Sequence, residues 1–215
     1  GREKALDIAE HALQHVDPRA AVKRYLTLDG SMLRVNEDVF NLNKVNNIYA
    51  IGAGKATYPL AVALEEILGD RITDGFIAIK KGQQNPFSDM LGTLSRIRVA
   101  ESAHPVPDET SLAAGKEIWR IAEKAGQGDM VFCLMSGGVS AQSVYPVEGL
   151  SLNDKVIINQ LLVHCGADVT EIMTVRRHLS RIKGGRLAPR MLPATIISLT
   201  VSDEKTDSME WNTDW

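Results

Sequence analysis

The segment Asn47 to Pro59, NIYAIGAGKATYP, joins a strand-like run, Ile48 to Ile51, through Gly52-Ala53-Gly54-Lys55 to apolar residues at helical spacing. Such a turn can make an anion site. Glycine lets the backbone approach a ligand closely, the N–H groups of the first helical turn point outward, and Lys55 adds a full positive charge. A tight structural turn with a solvated lysine fits the same residues equally well. Ser136-Gly137-Gly138-Val139-Ser140 offers hydroxyls and N–H groups to a phosphate or carboxylate, or is simply a glycine-rich turn. His104, in the proline-stiffened turn HPVPD, can carry a proton or only hold a hydrogen bond. Arg176, Ser180 and Lys183 stand at i, i+4 and i+7 ahead of Gly184-Gly185, which places them on one cationic helix face, either ligand-binding or solvated. Asp203 and Asp207 could hold Mg²⁺ through oxygen ligands or be acidic surface residues.

Standard nucleotide motifs do not fit these residues. A Walker A loop needs four residues between its glycines and Ser or Thr after the lysine, where Ala56 stands here; Thr57 occupies the third glycine position of GxGxxG. The second strand ends at Lys80-Lys81 rather than at an acidic residue for an NAD ribose. An NAD dehydrogenase is therefore disfavoured, while a cofactor with a 2′-phosphate stays open. Protein-kinase signatures are absent.

The elements that must position these groups follow from periodicity. Residues 2 to 16 put Leu6, Ala9, Leu13 and Val16 on an inward stripe, with His11 and His15 facing solvent. Asp17-Pro18 opens a second helix expected to reach about Leu28, and Ser31 to Phe40 reads as an edge hairpin or irregular lead-in. Asn47–Ile51, residues 75–79, Arg96–Ala100, Met130–Met135 and Ala194–Val201 read as strands, the fourth being a continuous apolar run suited to burial on both faces. Helices are expected after Lys55, after Asp108, after Ser151 with Ile157, Ile158, Leu161 and Leu162 inward, and from about Thr170 with Ile172, Val175, Leu179 and Ile182 inward; Lys80 to Ser95 reads as surface loop. This alternation predicts a Rossmann-like three-layer α/β/α fold with a mostly parallel open sheet and N-terminal helices, residues 1–215 forming one domain. Ligands bind such sheets at the strands' carboxyl ends, where Gly52–Lys55, Glu101–Asp108, Ser136–Ala141 and Ser202-Asp203 all fall.

With 44% hydrophobic and 24% charged residues, disorder and fibrous classes drop out. The net charge of -3 gives no bulk attraction to nucleic acid or a membrane, so anion binding must be local. No apolar run reaches transmembrane length and the N-terminus does not resemble a signal peptide. Cys133 and Cys165 are expected as reduced core thiols, which suits the cytoplasm.

Taken together, GAGKA (52–56), HPVPDE (104–109), MSGGVSA (135–141), GLSLNDK (149–155), VRRHLSRIKGGRLA (175–188) and SDEKTD (202–207) resemble the glycerate 2-kinases, or class II glycerate kinases, which carry a C-terminal MOFRL domain. The pieces occur in family order across nearly the whole chain. Val139 replaces a usual glycine, and Ser102-Ala103 stands where Ala-Gly commonly precedes HPVPD. The resemblance implies a transferase that phosphorylates D-glycerate at its 2-hydroxyl with ATP and Mg²⁺, giving 2-phosphoglycerate. By position it implies Lys55 and Arg176 as catalytic residues, Gly52, Gly54, His104, Ser136, Gly137, Gly138, Ser140 and Lys183 around substrate or phosphate, and Asp203 and Asp207 at the metal. The partners implied are D-glycerate and nucleotide, with a homodimer allowed. Family members are roughly twice as long, so the expectation is an N-terminal portion without the MOFRL domain and, alone, without activity. The rivals are a sugar-phosphate-binding or isomerase-like α/β module and an NADP-dependent reductase.

Overall fold

The computed structural model describes residues 1–202. Two helices, α1 (Arg2–His15) and α2 (Pro18–Tyr25), precede an antiparallel meander of β1 (Leu26–Asp29), β2 (Met32–Val35) and β3 (Asp38–Asn41). The α/β part then runs β4 (Ile48–Ala53), α3 (Thr57–Leu68), β5 (Ile72–Lys80), α4 (Gln84–Leu91), β6 (Ile97–Ser102), α5 (Glu109–Ala122), β7 (Met130–Ser136), α6 (Val139–Gln142), α7 (Leu152–His164), α8 (Val169–His178), α9 (Ala188–Met191) and β8 (Thr195–Val201).

Five strands form one parallel sheet in the order β6-β5-β4-β7-β8. The central strand β4 is buried along its whole length, as its unbroken apolar run requires. Alternate residues of β4 face two cores. Ile48 and Ala50 pack with Leu60 and Leu64 of α3 and with Leu26 and Leu33 of the meander; Tyr49 and Ile51 pack with Ile118 and Trp119 of α5. The result is the expected three-layer Rossmann-like fold. The chain leaves β4 toward β5 and β6 and returns on the other side as β7 and β8. The strand order therefore reverses between β4 and β7, and a crevice opens there at their carboxyl ends.

Several local expectations are corrected. The second helix stops at Tyr25 because Leu26–Asp29 pairs with β2, so the lead-in is a three-stranded meander. The stretch after Lys80 contains α4, whose Phe87 stacks on Tyr58 at a centroid distance of 5.3 Å. Leu6 and Leu13 of α1 and Val16 just after it are exposed, as are Ile157 and Leu161 of α7. Cys133 is buried, its thiol pushed up to about 12 by burial, but Cys165 is exposed. His11 and His15 face solvent as expected. No described helix is long and apolar enough to cross a membrane.

Candidate active site

Two glycine-rich loops meet at the switch point. Gly52 lets β4 pass close to β7 and α3: a Cβ there would lie 2.6 Å from the Leu134 carbonyl oxygen and 2.8 Å from Thr57 Cγ2. Gly54 has φ +136°, and its Cβ would fall 2.1 Å from Ser136 Oγ. Only glycine fits this crossing.

The N–H groups from Gly54 to Thr57, expected to face a ligand, are bonded within the fold. The Gly54 N–H donates to the Ala78 carbonyl at 3.1 Å and to Gln142 Oε1 at 3.0 Å. The Lys55 N–H donates to the Gly137 carbonyl at 2.9 Å, and the Thr57 N–H to the Gly54 carbonyl at 3.4 Å. The Ala56 N–H donates to Ser136 Oγ at 2.9 Å, and that oxygen also lies 3.1 Å from Thr57 Oγ1. Pro59, in the first turn of α3, has no N–H at all. The loops are packed against each other, so the amides of Gly54 to Thr57 hold the fold together while the Lys55 side chain is exposed toward a ligand.

His104 stands beside it. The carboxyl end of β6 brings the half-buried ring against Gly138, whose Cβ would lie 3.1 Å from His104 Cδ2 and 3.3 Å from Nε2. Burial, and then the positive charges of Lys55 and Lys80, push the imidazole below its ordinary range. At neutral pH it is an uncharged ring able to accept a proton. Asp108 caps α5, accepting from the N–H groups of Thr110 and Ser111. Its Oδ2 pairs with Lys81 Nζ at 2.5 Å, and this bond, with the cap, holds the carboxyl at about 2.

Gln142 carries no signal beyond being a polar residue in an apolar stretch, and sequence reasoning missed it. It is fully buried and anchors the Gly54 N–H through Oε1, while Nε2 has no hydrogen-bond partner among the described residues. That amide nitrogen lies 3.0 Å from the position of a Gly138 Cβ. The absent Cβ therefore leaves a gap between a buried donor and the His104 ring.

A second cationic group lies against α6. Helix α8 ends at His178, so Arg176, Ser180 and Lys183 do not share a helical face. Pro146 pairs with Ser180 as an isolated bridge, which turns the serine into the core with Oγ 3.5 Å from the Tyr145 carbonyl. Arg176 and Lys183 nevertheless line one cleft with Ser140, Lys155 and Asn159. Lys183 is 1% exposed, and its Nζ lies 3.5 Å from the Val139 carbonyl. Lys155 is a second residue that sequence reasoning passed over. It sits in the first turn of α7 behind the Ser151 capping box, within the GLSLNDK segment.

Among the described residues no group of three or more His, Cys, Asp or Glu comes together to hold a metal. Asp203 and Asp207 lie outside the described residues.

Comparison with known proteins adds a family to this geometry. Residues 4–211 match the family model described as "Domain of unknown function (DUF4147)". The chain is 37% identical over 209 residues to the glycerate 2-kinase of Pyrococcus horikoshii, covering 97% of this chain and 45% of the relative. It is 32% identical to the D-glycerate 2-kinase of Thermotoga maritima over 97% of this chain and 45% of the relative. A crystal structure of a Pyrococcus horikoshii protein superposes with a TM-score of 0.85 at 37% identity, covering 97% of this chain and 45% of that one. The crystal structure of the Thermotoga maritima glycerate kinase gives a TM-score of 0.76 at 31% identity, covering 93% and 44%. The chain thus spans less than half the length of the curated relatives it matches. It belongs to the DUF4147 family and is homologous, over that span, to glycerate kinases.

Proposed function

We propose that this chain forms the anion-binding part of a glycerate 2-kinase, which transfers the terminal phosphoryl group of ATP to the 2-hydroxyl of D-glycerate and yields 2-phosphoglycerate. The observation that carries the reading is Lys55 at the switch point of a parallel sheet, its ammonium beside a neutral imidazole, in a chain homologous to glycerate kinases. Phosphoryl transfer asks little covalent chemistry of the protein; positioning and charge neutralisation do most of the work. In this reading Lys55 binds the transferring phosphoryl group or the glycerate carboxylate. Arg176 and Lys183 add positive charge from a neighbouring cleft that Ser140 also lines. His104 accepts the hydrogen bond, and then the proton, of the attacking hydroxyl. Gly52, Gly54, Ser136 and Gly137 hold the two loops in contact beside the bound phosphate, and Gly138 leaves the gap next to His104 in which a substrate oxygen fits.

Mg²⁺ needs one or two carboxylates beside the substrate's phosphates, a role we assign to Asp203 and Asp207, and when bound it neutralises phosphate charge. The matched share of the relatives supports a further part of the proposal, that activity requires the region they carry outside the match. A cytoplasmic setting is supported by the free thiols Cys133 and Cys165, and a homodimer belongs to the same reading.

The test is ³¹P NMR of a reaction with ATP, Mg²⁺ and D-glycerate, using the protein that joins this chain to that region. A phosphate ester at the 2-position is expected. Tight sugar-phosphate binding without nucleotide, and no ester formation, would favour the sugar-phosphate-binding module instead.

A further inference from the structure

Away from the crevice, a cavity of about 360 Å³ is lined by Trp119, Val147, Arg181, Arg186, Pro189 and Arg190. Trp119 lies in the last turn of α5, and α9 leads directly toward the first residue of β8. The cavity therefore sits toward the end of the sheet where the strands begin, opposite Lys55.

Each guanidinium in it is held by something other than a carboxylate. The Arg181 guanidinium lies 5.0 Å from the Trp119 ring centroid and 4.8 Å from that of Tyr145, and its Nη1 donates to the Tyr145 hydroxyl at 3.2 Å. Arg190 lies 4.8 Å from the Trp119 ring centroid. Arg186 Nη1 donates to the His178 and Ser180 carbonyls, each at 3.0 Å. None of the three pairs with an acidic side chain among the described residues, whereas Arg19, Arg96, Arg98 and Arg120 all do.

Three unneutralised cations around one small cavity repel each other, and an anion between them reverses the sign of that interaction. Aromatic faces and backbone carbonyls fix the three groups in advance, so little ordering remains to oppose binding. The guanidinium fork matches oxyanions bidentately, and a tetrahedral dianion has enough oxygens for several forks where a carboxylate has two. The cavity is of small-molecule size. We propose that it binds a phosphate dianion, carried either by inorganic phosphate or by a small phosphorylated acid. The inference stands independently of the kinase reading.

Trp119 reports on the site directly. Replacing Trp211 and Trp215 with Phe leaves it as the one tryptophan of the chain's three, and Lys55→Ala removes the crevice's principal charge. Inorganic phosphate and 2-phosphoglycerate are titrated separately at constant ionic strength while Trp119 emission is followed. A saturable change is expected, with affinity weakened at least tenfold by Arg190→Gln, an exposed residue that gives up only its ring contact, and by Arg181→Gln. The tighter of the two probes identifies the source of the phosphate. No saturable response, the same response to sodium chloride, equal affinity in Arg190→Gln, or binding of an acidic peptide in place of phosphate would overturn the proposal.

Discussion

Gln142 and Gly54 share one hydrogen bond, 3.0 Å from the Gly54 N–H to Gln142 Oε1, and the same side chain holds its buried Nε2 beside Gly138 with no partner among the described residues. A buried donor without an acceptor costs about 1–3 kcal/mol. An acceptor oxygen of the substrate lodged over Gly138 would offset that cost. Gln142→Leu removes the orphan donor, and the Gly54 N–H keeps the Ala78 carbonyl. Stability is therefore expected to change by no more than about 1 kcal/mol in a denaturant titration. The KM for the anionic substrate should rise severalfold. An unchanged KM would show that Nε2 meets no ligand.

Ser136 bridges the two loops by accepting from the Ala56 N–H and bonding Thr57 Oγ1. Ser136→Ala leaves the half-buried Ala56 N–H and the buried Thr57 hydroxyl without that partner, a loss of about 1–3 kcal/mol measurable by urea unfolding. Gly54→Ala should be more damaging, since its Cβ would press on Ser136 Oγ and the backbone has φ +136°. A Ser136→Ala variant as stable as the parent would contradict the buttressing role.

The titration of His104 tests its proximity to Lys55. Burial and then the Lys55 and Lys80 charges depress its folded-state pKa below the ordinary value of 6.5. The unfolded chain thus binds the proton more readily. His104 opposes folding as pH falls below about 6.5, and this opposition is absent above it. Lys55→Met removes one of the two cations, so the His104 resonance in an NMR titration should move to higher pKa. No movement would separate the two side chains.

Asp108 gives a second pH signature with the opposite group type. Its folded-state pKa of about 2 lies below the ordinary 3.8. Its stabilising contribution is complete above the ordinary value and is lost as pH falls through about 2. Asp108→Ala should cost about 1 kcal/mol at pH 7, the worth of a helix cap. The difference from the parent should shrink in acid unfolding experiments below pH 4; a constant difference would contradict the assignment.

These residues also show what was legible in the sequence. Met130–Met135 and Ile48–Ile51 announced buried parallel strands because a strand covered on both faces has no polar side to alternate with. Caps at Asp108 and Ser151 were readable because they are local. Helix α4 was not, since no side chain caps it; it is held by the Phe87 stack on Tyr58 and by Glu101 Oε1, which accepts from the Gly82 and Gln84 N–H groups. Arg176 and Lys183 line one cleft for a reason other than helical spacing. Helical spacing suggested a shared face, but they meet because the chain leaves the helix at Leu179 and folds back past Pro146. Gln142 was invisible, because an unpaired buried amide exists only in three dimensions.

The central claim is that the Lys55 ammonium, rather than the amides of its loop, provides the charge that phosphoryl transfer needs. Its most direct test is the steady-state turnover of D-glycerate with ATP and Mg²⁺ by Lys55→Ala, in the protein that joins this chain to the remaining length of its relatives. Because the side chain is exposed and its backbone bond to Gly137 is retained, circular dichroism and melting temperature should match the parent. The account predicts a kcat lower by about 10²–10³, the usual consequence of removing one preorganised electrostatic contact from a transition state. Turnover close to that of the parent, in a folded variant, would contradict it.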